Sequence, residues 1–224
     1  VWFPASPNVK PQAAEQIAAG YFRNFSKNRY ETSVEAYYKK ISHVIDFKDH
    51  AMLLLNEYLE GELRFGSGYA YGLEFMVRKN SGRLSGWISY TWSRSWRTIQ
   101  DINNGKKYPA PYDKPHSVAV VVNYSLTPRI EASANWVYST GLPVTFPTGR
   151  AVIGGAIVPV YSDRNAYRMP DYHRLDCAVT FKGKEKPDKK WHHEFNLSVY
   201  NAYARKNAWS INFVQDKSDP NVTF

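Results

Sequence analysis

The sequence predicts an all-β chain of antiparallel, up-and-down transmembrane β-barrel strands, about eight of them complete within its 224 residues. Three observations carry that expectation. Apolar and polar residues alternate along unusually long arms. The connections between those arms alternate short and long. Aromatic residues make up 16% of the chain, with 17 Tyr and 7 Trp, which favours β-structure and interfacial belts over a helical bundle.

The alternation is clearest from Gly68 to Trp96. Tyr71, Leu73, Phe75 and Val77 share one face, with Gly72, Glu74, Met76 and Arg78 on the other. After Asn80-Ser81-Gly82, Leu84, Ile88, Tyr90 and Trp92 oppose Ser85, Ser89, Thr91 and Ser93. Side chains alternate along a strand, so this is a hairpin with one apolar and one polar face, closed by a tight turn. A tilted strand crosses the hydrocarbon layer in about 9–11 residues, and each arm is that long.

The remaining elements follow in order. Val1 to Pro11 is irregular and Pro-rich. Ala14 to Phe25 is a strand with Ile17, Ala19 and Tyr21 on one face, followed by a Ser26-Lys27-Asn28 turn. Arg29 to Val44 sets Thr32, Val34, Ala36 and Tyr38 against Glu31, Ser33, Glu35 and Lys39. Charge at every second position excludes a dry core on that face and suits a wet lumen. Ile45 to Ser67 is a longer connection, helical or extended. After the central hairpin, Thr98 to Lys114 is a second long loop. Pro115 to Leu126 and Arg129 to Gly141 are strands joined by a minimal Thr127-Pro128 turn. Leu142 to Asp171 is the longest loop. Tyr172 to Lys182 is a strand with Leu175, Cys177, Val179 and Phe181 on one face. Gly183 to Lys190 is a charged turn, and Trp191 to Phe213 a strand interrupted near Asn201–Asn207 and resuming through Trp209, Ile211 and Phe213. Short turns alternating with long loops are the connections of an up-and-down membrane barrel.

Composition bounds the rest. The mean hydropathy of −0.52 fits a barrel, because half of each strand faces a polar lumen. Transmembrane helices are excluded, since the uncharged run Ala151–Val160 is far short of the roughly 18 residues one needs. The net charge of +9 implies attraction to anionic surfaces. Its Lys and Arg are spread along turns and polar faces, which disfavours nucleic acid. A single cysteine, Cys177, excludes an internal disulfide and reads as a small apolar filler. An exported protein needs a leader that Val1-Trp2-Phe3-Pro4 lacks, so the chain is expected to begin downstream of its true start.

Several stretches together resemble the C-terminal part of TonB-dependent outer-membrane receptors of the Bacteroidetes type. They are Gly20–Asn24 with Tyr30–Lys39, the Gly66–Ser95 hairpin, Tyr108–His116, Ser139–Pro143, Tyr172–Asp176 and Ser198–Trp209. The resemblance implies that residues 1–224 are a fragment of a larger, 22-stranded barrel in the Gram-negative outer membrane. Its own N-terminal plug domain and its last strand would lie outside this chain, with Asn221–Phe224 beginning that strand. It further implies energised import of a scarce ligand, coupling to the TonB complex through the plug, and contact with outer-membrane lipid and lipopolysaccharide. A surface lipoprotein is a candidate partner. No cofactor and no enzymatic activity are expected. The competing readings are a soluble all-β carbohydrate-binding module and a small self-closed eight-stranded outer-membrane barrel with a structural or adhesive role.

No HExxH, GxSxG, P-loop or paired-carboxylate signature points to catalysis. His43, Asp46, Asp49 and His50 are close enough in sequence to raise a metal site, but a polar loop is favoured because nothing fixes their geometry. His192-His193 would point to opposite faces. Glu35, Lys39, Glu74 and Arg78 are expected to face the lumen and pair with one another or with the plug. Asp113 and His116, and His173 and Arg174, stand where long loops enter strands. They would either line the upper lumen toward ligand or plug, or anchor loop ends. Tyr90, Trp92, Trp96, Trp136 and Tyr138 are expected to form an outer aromatic girdle.

Overall fold

The computed structural model describes residues 3–154, 156–184 and 191–211. Its strands are β1 (Ala13–Phe25), β2 (Tyr30–Phe47), β3 (Leu63–Lys79), β4 (Leu84–Ile99), β5 (Tyr108–Pro109), β6 (His116–Thr127), β7 (Ile130–Ser139), β8 (Pro143–Val144), β9 (Pro147–Ile153), β10 (Ala156–Tyr161), β11 (Tyr167–Arg168), β12 (Tyr172–Lys182) and β13 (Glu194–Val199). The main sheet runs β1-β2-β3-β4-β6-β7-β12-β13, with β5 on β4, and every pairing is antiparallel. This is the up-and-down order that the alternating connections predict. β1 and β13 do not pair, so the strands form an open sheet and not the self-closed eight-stranded barrel.

The strands outrun their sequence boundaries at the long-loop end. β2, β3 and β4 have 18, 17 and 16 residues, long enough to extend beyond a hydrocarbon layer. The Ile45–Ser67 connection is therefore shorter than expected, with one 3-10 turn at Leu59–Glu62. The Leu142–Asp171 loop holds two small ladders, β9 on β10 and β8 on β11.

One strand expectation fails. The stretch from Trp191 does not continue as a strand through Trp209 and Ile211; β13 stops at Val199, and Phe213 lies outside the described residues. Asn201 and Ala204 adopt positive φ, and Ala204 N–H donates to the Asn201 carbonyl at 2.8 Å, turning the chain. Asn207 then substitutes for a strand. It donates Nδ2 to the His173 carbonyl at 3.0 Å and accepts the His173 N–H on Oδ1 at 3.2 Å. A carboxamide carries the same donor and acceptor pair as a peptide, so it closes the edge of β12 locally.

Few residues pack as a core. The buried apolar cluster is Val44, Ile99, Ile102 and Tyr108 with Ile41 against it, all at the long-loop end. Gly66 stands between Val44 and Ile99 in the ladders, and the absence of its side chain brings them together. Gly86 is a stricter requirement. Its φ is +144°, and a Cβ there would lie 2.0 Å from the Val121 carbonyl oxygen, inside the β4–β6 ladder. Gly86→Ala is expected to cost about 2 kcal/mol through forced displacement of that ladder. A urea titration of the folded, heat-modifiable species checks this; an unchanged midpoint would refute it.

Candidate functional site

The register sorts the side chains of the sheet into two faces. On one, Val34, Phe75, Tyr90, Val118, Tyr138 and His173 form a continuous row across six strands. Thr32, Val77, Ile88, Val120, Trp136 and Leu175 form the next. This face stays open: Ile17 is 73% exposed, Val77 51% and Ile88 54%. From Leu84 to Trp92 it measures roughly 27 Å along the strand at about 3.4 Å per residue. Tilted by about 40°, that approaches the roughly 25 Å height of a barrel's apolar band.

All of Tyr90, Trp92, Trp96, Trp136 and Tyr138 lie on this face. Phe75, Tyr90 and His116 stack in sequence at centroid spacings of 6.2 and 6.1 Å. Trp136 stacks on Tyr138 at 6.2 Å, and Trp92 meets the edge of Tyr71 at 5.6 Å. Tyr38, Tyr69 and Tyr71 extend the belt beyond the five residues expected from the sequence. Their alternation was visible, but their alignment with Trp92 depends on cross-strand register. The Arg94 guanidinium lies 4.3 Å from the centre of the Trp96 ring at the upper edge.

His116 and His173 lie on this aromatic face. His116 pairs with Trp92 in the ladder, and its Nδ1 lies 2.9 Å from the Tyr90 hydroxyl. His173 pairs with Tyr138, and its Nδ1 lies 2.8 Å from the Tyr203 hydroxyl. Entering a strand one residue earlier or later reverses the face, so register decides the face of a residue at a loop-to-strand boundary.

The polar face carries Glu35, Lys39, Glu74, Arg78 and Arg174. Of the two expectations for the first four, pairing with one another or with the plug, the first is not met among the described residues. Glu35 stands directly opposite Glu74, Lys39 opposite Ala70, and Arg78 opposite Glu31. None of their four side chains makes an ion pair or hydrogen bond among the described residues. Like charges opposite each other are unfavourable, so the Glu35–Glu74 pair is electrostatically unsatisfied in isolation. Arg174 is engaged: its guanidinium binds Asp176 at 2.8 Å, donates to Tyr172 at 3.0 Å and lies over the Tyr200 ring.

At the long-loop end two arginines of the β10–β12 segment clasp the other loops. Arg164 Nη1 reaches Asp46 Oδ1 at 3.0 Å and the Phe47 carbonyl at 3.0 Å, while Nη2 reaches Asp49 at 2.5 Å. Asn103 and Arg164 exchange further bonds of 2.7 and 3.2 Å. The buried Tyr108 hydroxyl donates to Asp46 Oδ2 at 2.9 Å. Burial, followed by the Asp46 charge, pushes that phenol well up, so it remains a donor. Arg168 bonds the Asp113 carboxylate and donates to the Asp113 carbonyl at 2.8 Å and the Gly141 carbonyl at 3.0 Å. Asp113 is 1% exposed and also accepts the Ser95 N–H at 2.6 Å.

Asp46 and Asp49 are thus consumed by Arg164. His43 instead has its Nδ1 3.1 Å from the Pro11 carbonyl oxygen, and His50 lies beside Tyr161. His43 and Asp46 lie in β2 and Asp49 and His50 beyond it, and no metal-holding group of three or more His, Cys, Asp or Glu occurs among the described residues. His192 and His193 precede β13 and are not within it. A cavity of about 570 Å³ opens beside the clasp, lined by Tyr138, Gly141, Met169, Tyr172, Asn207 and Trp209 among others.

The clasp also predicts a pH response. The Tyr138 hydroxyl, at 2.6 Å, and then the Gly141 N–H, at 2.9 Å, hold the Asp171 carboxyl below its usual range. A carboxyl depressed in the folded state contributes stability above its unfolded pKa, about 4, and loses it as pH falls through the lower folded value. Hydrogen exchange at Gly141 N–H should therefore accelerate below about pH 4 beyond its intrinsic rate. A pH-independent protection factor would contradict that.

Comparison with known proteins adds two findings. A family model described as TonB dependent receptor-like, beta-barrel matches residues 2–202. The crystal structure of the ferric-catecholate import receptor Fiu from K12 E. coli, in its closed form, matches with a TM-score of 0.59 and 18% identity. That match covers 92% of this chain and 26% of the receptor, so the chain spans about a quarter of that protein's length. At this identity the likeness is one of fold. No curated protein sequence matches the chain.

Proposed function

This chain belongs to the TonB-dependent receptor-like β-barrel family, whose members are outer-membrane transporters and not enzymes, and on that premise we propose that it forms the C-terminal portion of such a receptor's barrel. In this reading it takes part in TonB-dependent import of a scarce ligand across the Gram-negative outer membrane and performs no chemistry of its own. The observation that carries the proposal is the open apolar face. A soluble sandwich would bury Val34, Phe75 and Ile88 against a second sheet; here they stay accessible while the buried apolar cluster gathers at one end. Lipid is the phase that such a face needs, with the aromatic belt at its boundary.

The polar face would then line the lumen. Glu35 and Glu74 would find their counter-charge on the receptor's own plug, which in turn engages the TonB complex. Lipopolysaccharide and a surface lipoprotein are the partners proposed for the clasped loop end. Barrel strands outside this chain would pair with the exposed edges of β1 and β13. The test is membrane fractionation of the full-length receptor, then gel migration with and without boiling. Recovery in the outer membrane with a heat-dependent shift is expected; a soluble protein with no shift would sink the proposal.

A further inference from the structure

The short turns opposite the clasped loops are laced to one another and carry a one-sided set of charges. Asn80 N–H donates to the Arg29 carbonyl at 2.9 Å and its Nδ2 to the Asn28 carbonyl at 3.2 Å, tying the β1–β2 turn to the β3–β4 turn. Arg83 donates to the Ser125 and Leu126 carbonyls at 3.3 and 3.1 Å, tying the β3–β4 turn to the end of β6. Arg23, Lys27, Arg29, Lys79, Arg83 and Arg129 lie in these turns or on the apolar face beside them. The acids at this end of the three hairpins turn the other way. Glu31 is on the polar face and accepts from Asn80 Nδ2 at 2.6 Å; Glu131 shares that face and binds Lys182 at 2.9 Å.

Within this set, two cations stand beside one glycine. Gly82 has φ +101°, and the position a Cβ would take lies 3.2 Å from Lys79 Nζ and 3.5 Å from Arg29 Nη2. Lys79 also donates to the Ser81 carbonyl at 3.0 Å and to the Leu84 carbonyl, which holds its ammonium in place. The Arg29 side chain has no hydrogen bond or ion pair among the described residues, only the Tyr30 ring at 5.9 Å. With no side chain at Gly82 to stand between them, the two cations are placed to bind separate oxygens of one phosphate.

Building on the membrane-barrel reading above, we propose that Arg29 and Lys79, around Gly82 and flanked by Arg83, cradle the phosphate of an anionic phospholipid headgroup in the leaflet at the short-turn end. The cradle adjoins the exposed apolar residues Val77, Leu84 and Ile88, against which acyl chains would lie. The guanidinium and ammonium supply charge and donors that a zwitterionic headgroup neutralises in part with its own amine and an anionic one does not.

The test uses the full-length receptor in nanodiscs of phosphatidylethanolamine and phosphatidylglycerol, with retained lipids counted by native mass spectrometry. Phosphatidylglycerol should be enriched about fivefold over its bulk ratio in the wild type. Arg29→Gln should lose most of that enrichment and Arg29→Glu all of it. Neither variant removes a bond that the turns use, and the boiling shift on gels verifies folding. Lys107→Glu, at the opposite end, should keep the enrichment. Equal enrichment in wild type and folded Arg29→Glu overturns the cradle, as does an equal loss in Lys107→Glu. Displacement of the lipid by millimolar inorganic phosphate would assign the site to a soluble anion and overturn the headgroup reading. A wild-type receptor with no boiling shift instead refutes the barrel reading itself.

Discussion

Replacing Asp113 by alanine is expected to destabilise the clasped loop end by about 3 kcal/mol, near the low end for removing one partner of a buried ion pair. The low end applies because Arg94 and Arg168 keep 26% and 28% of their side-chain surface in solvent, whereas the Asp113 side chain has none. Loss of the carboxylate strands the Ser95 N–H and removes the anion that holds Arg168 on the Gly141 carbonyl. The population of opened loop should rise roughly a hundredfold. Trypsin cleavage after Arg150 in the membrane-embedded receptor reads that population when reclosing outpaces cutting. Asp113→Asn should fall between, because its amide oxygen still accepts the Ser95 N–H. An unchanged cleavage rate in Asp113→Ala would show that the clasp does not hold the loop.

Ile88→Lys is expected to cost about 3 kcal/mol when the receptor folds in a bilayer, the penalty for a cation near the midplane of a barrel's lipid face. Ser89→Lys, one residue along on the polar face, should cost less than about 1 kcal/mol, because its side chain would enter a solvated lumen. The two positions share a strand, a depth and a similar β-environment, so their difference isolates the phase each side chain meets. Urea midpoints for refolding into vesicles provide the measurement. Equal penalties would contradict the assignment of lipid to the Ile88 face.

Much of this architecture was legible along the chain because alternation is a local property. Leu73, Phe75 and Val77 declare one face and Glu74, Met76 and Arg78 the other, whatever strand lies beside them. The short turns at Ser26–Asn28 and Thr127-Pro128 are equally local. The last strand was misread because Trp209 and Ile211 keep an alternating spacing that Asn201 and Ala204 have already disconnected from the ladder.

What the sequence by itself determined is therefore the set of long β-strands, their two-faced character and their up-and-down order, since period and turn chemistry are encoded within a few residues. Tertiary structure alone decided which residues meet across strands. It set Glu35 against Glu74, placed His116 and His173 on the aromatic face, joined Asp46 to Arg164 over 118 positions and brought Arg29 beside Lys79 at Gly82. Register and loop return are long-range quantities, and a slip of one residue inverts every face. A lone strand does not carry that information; its hydrogen-bonded neighbours do.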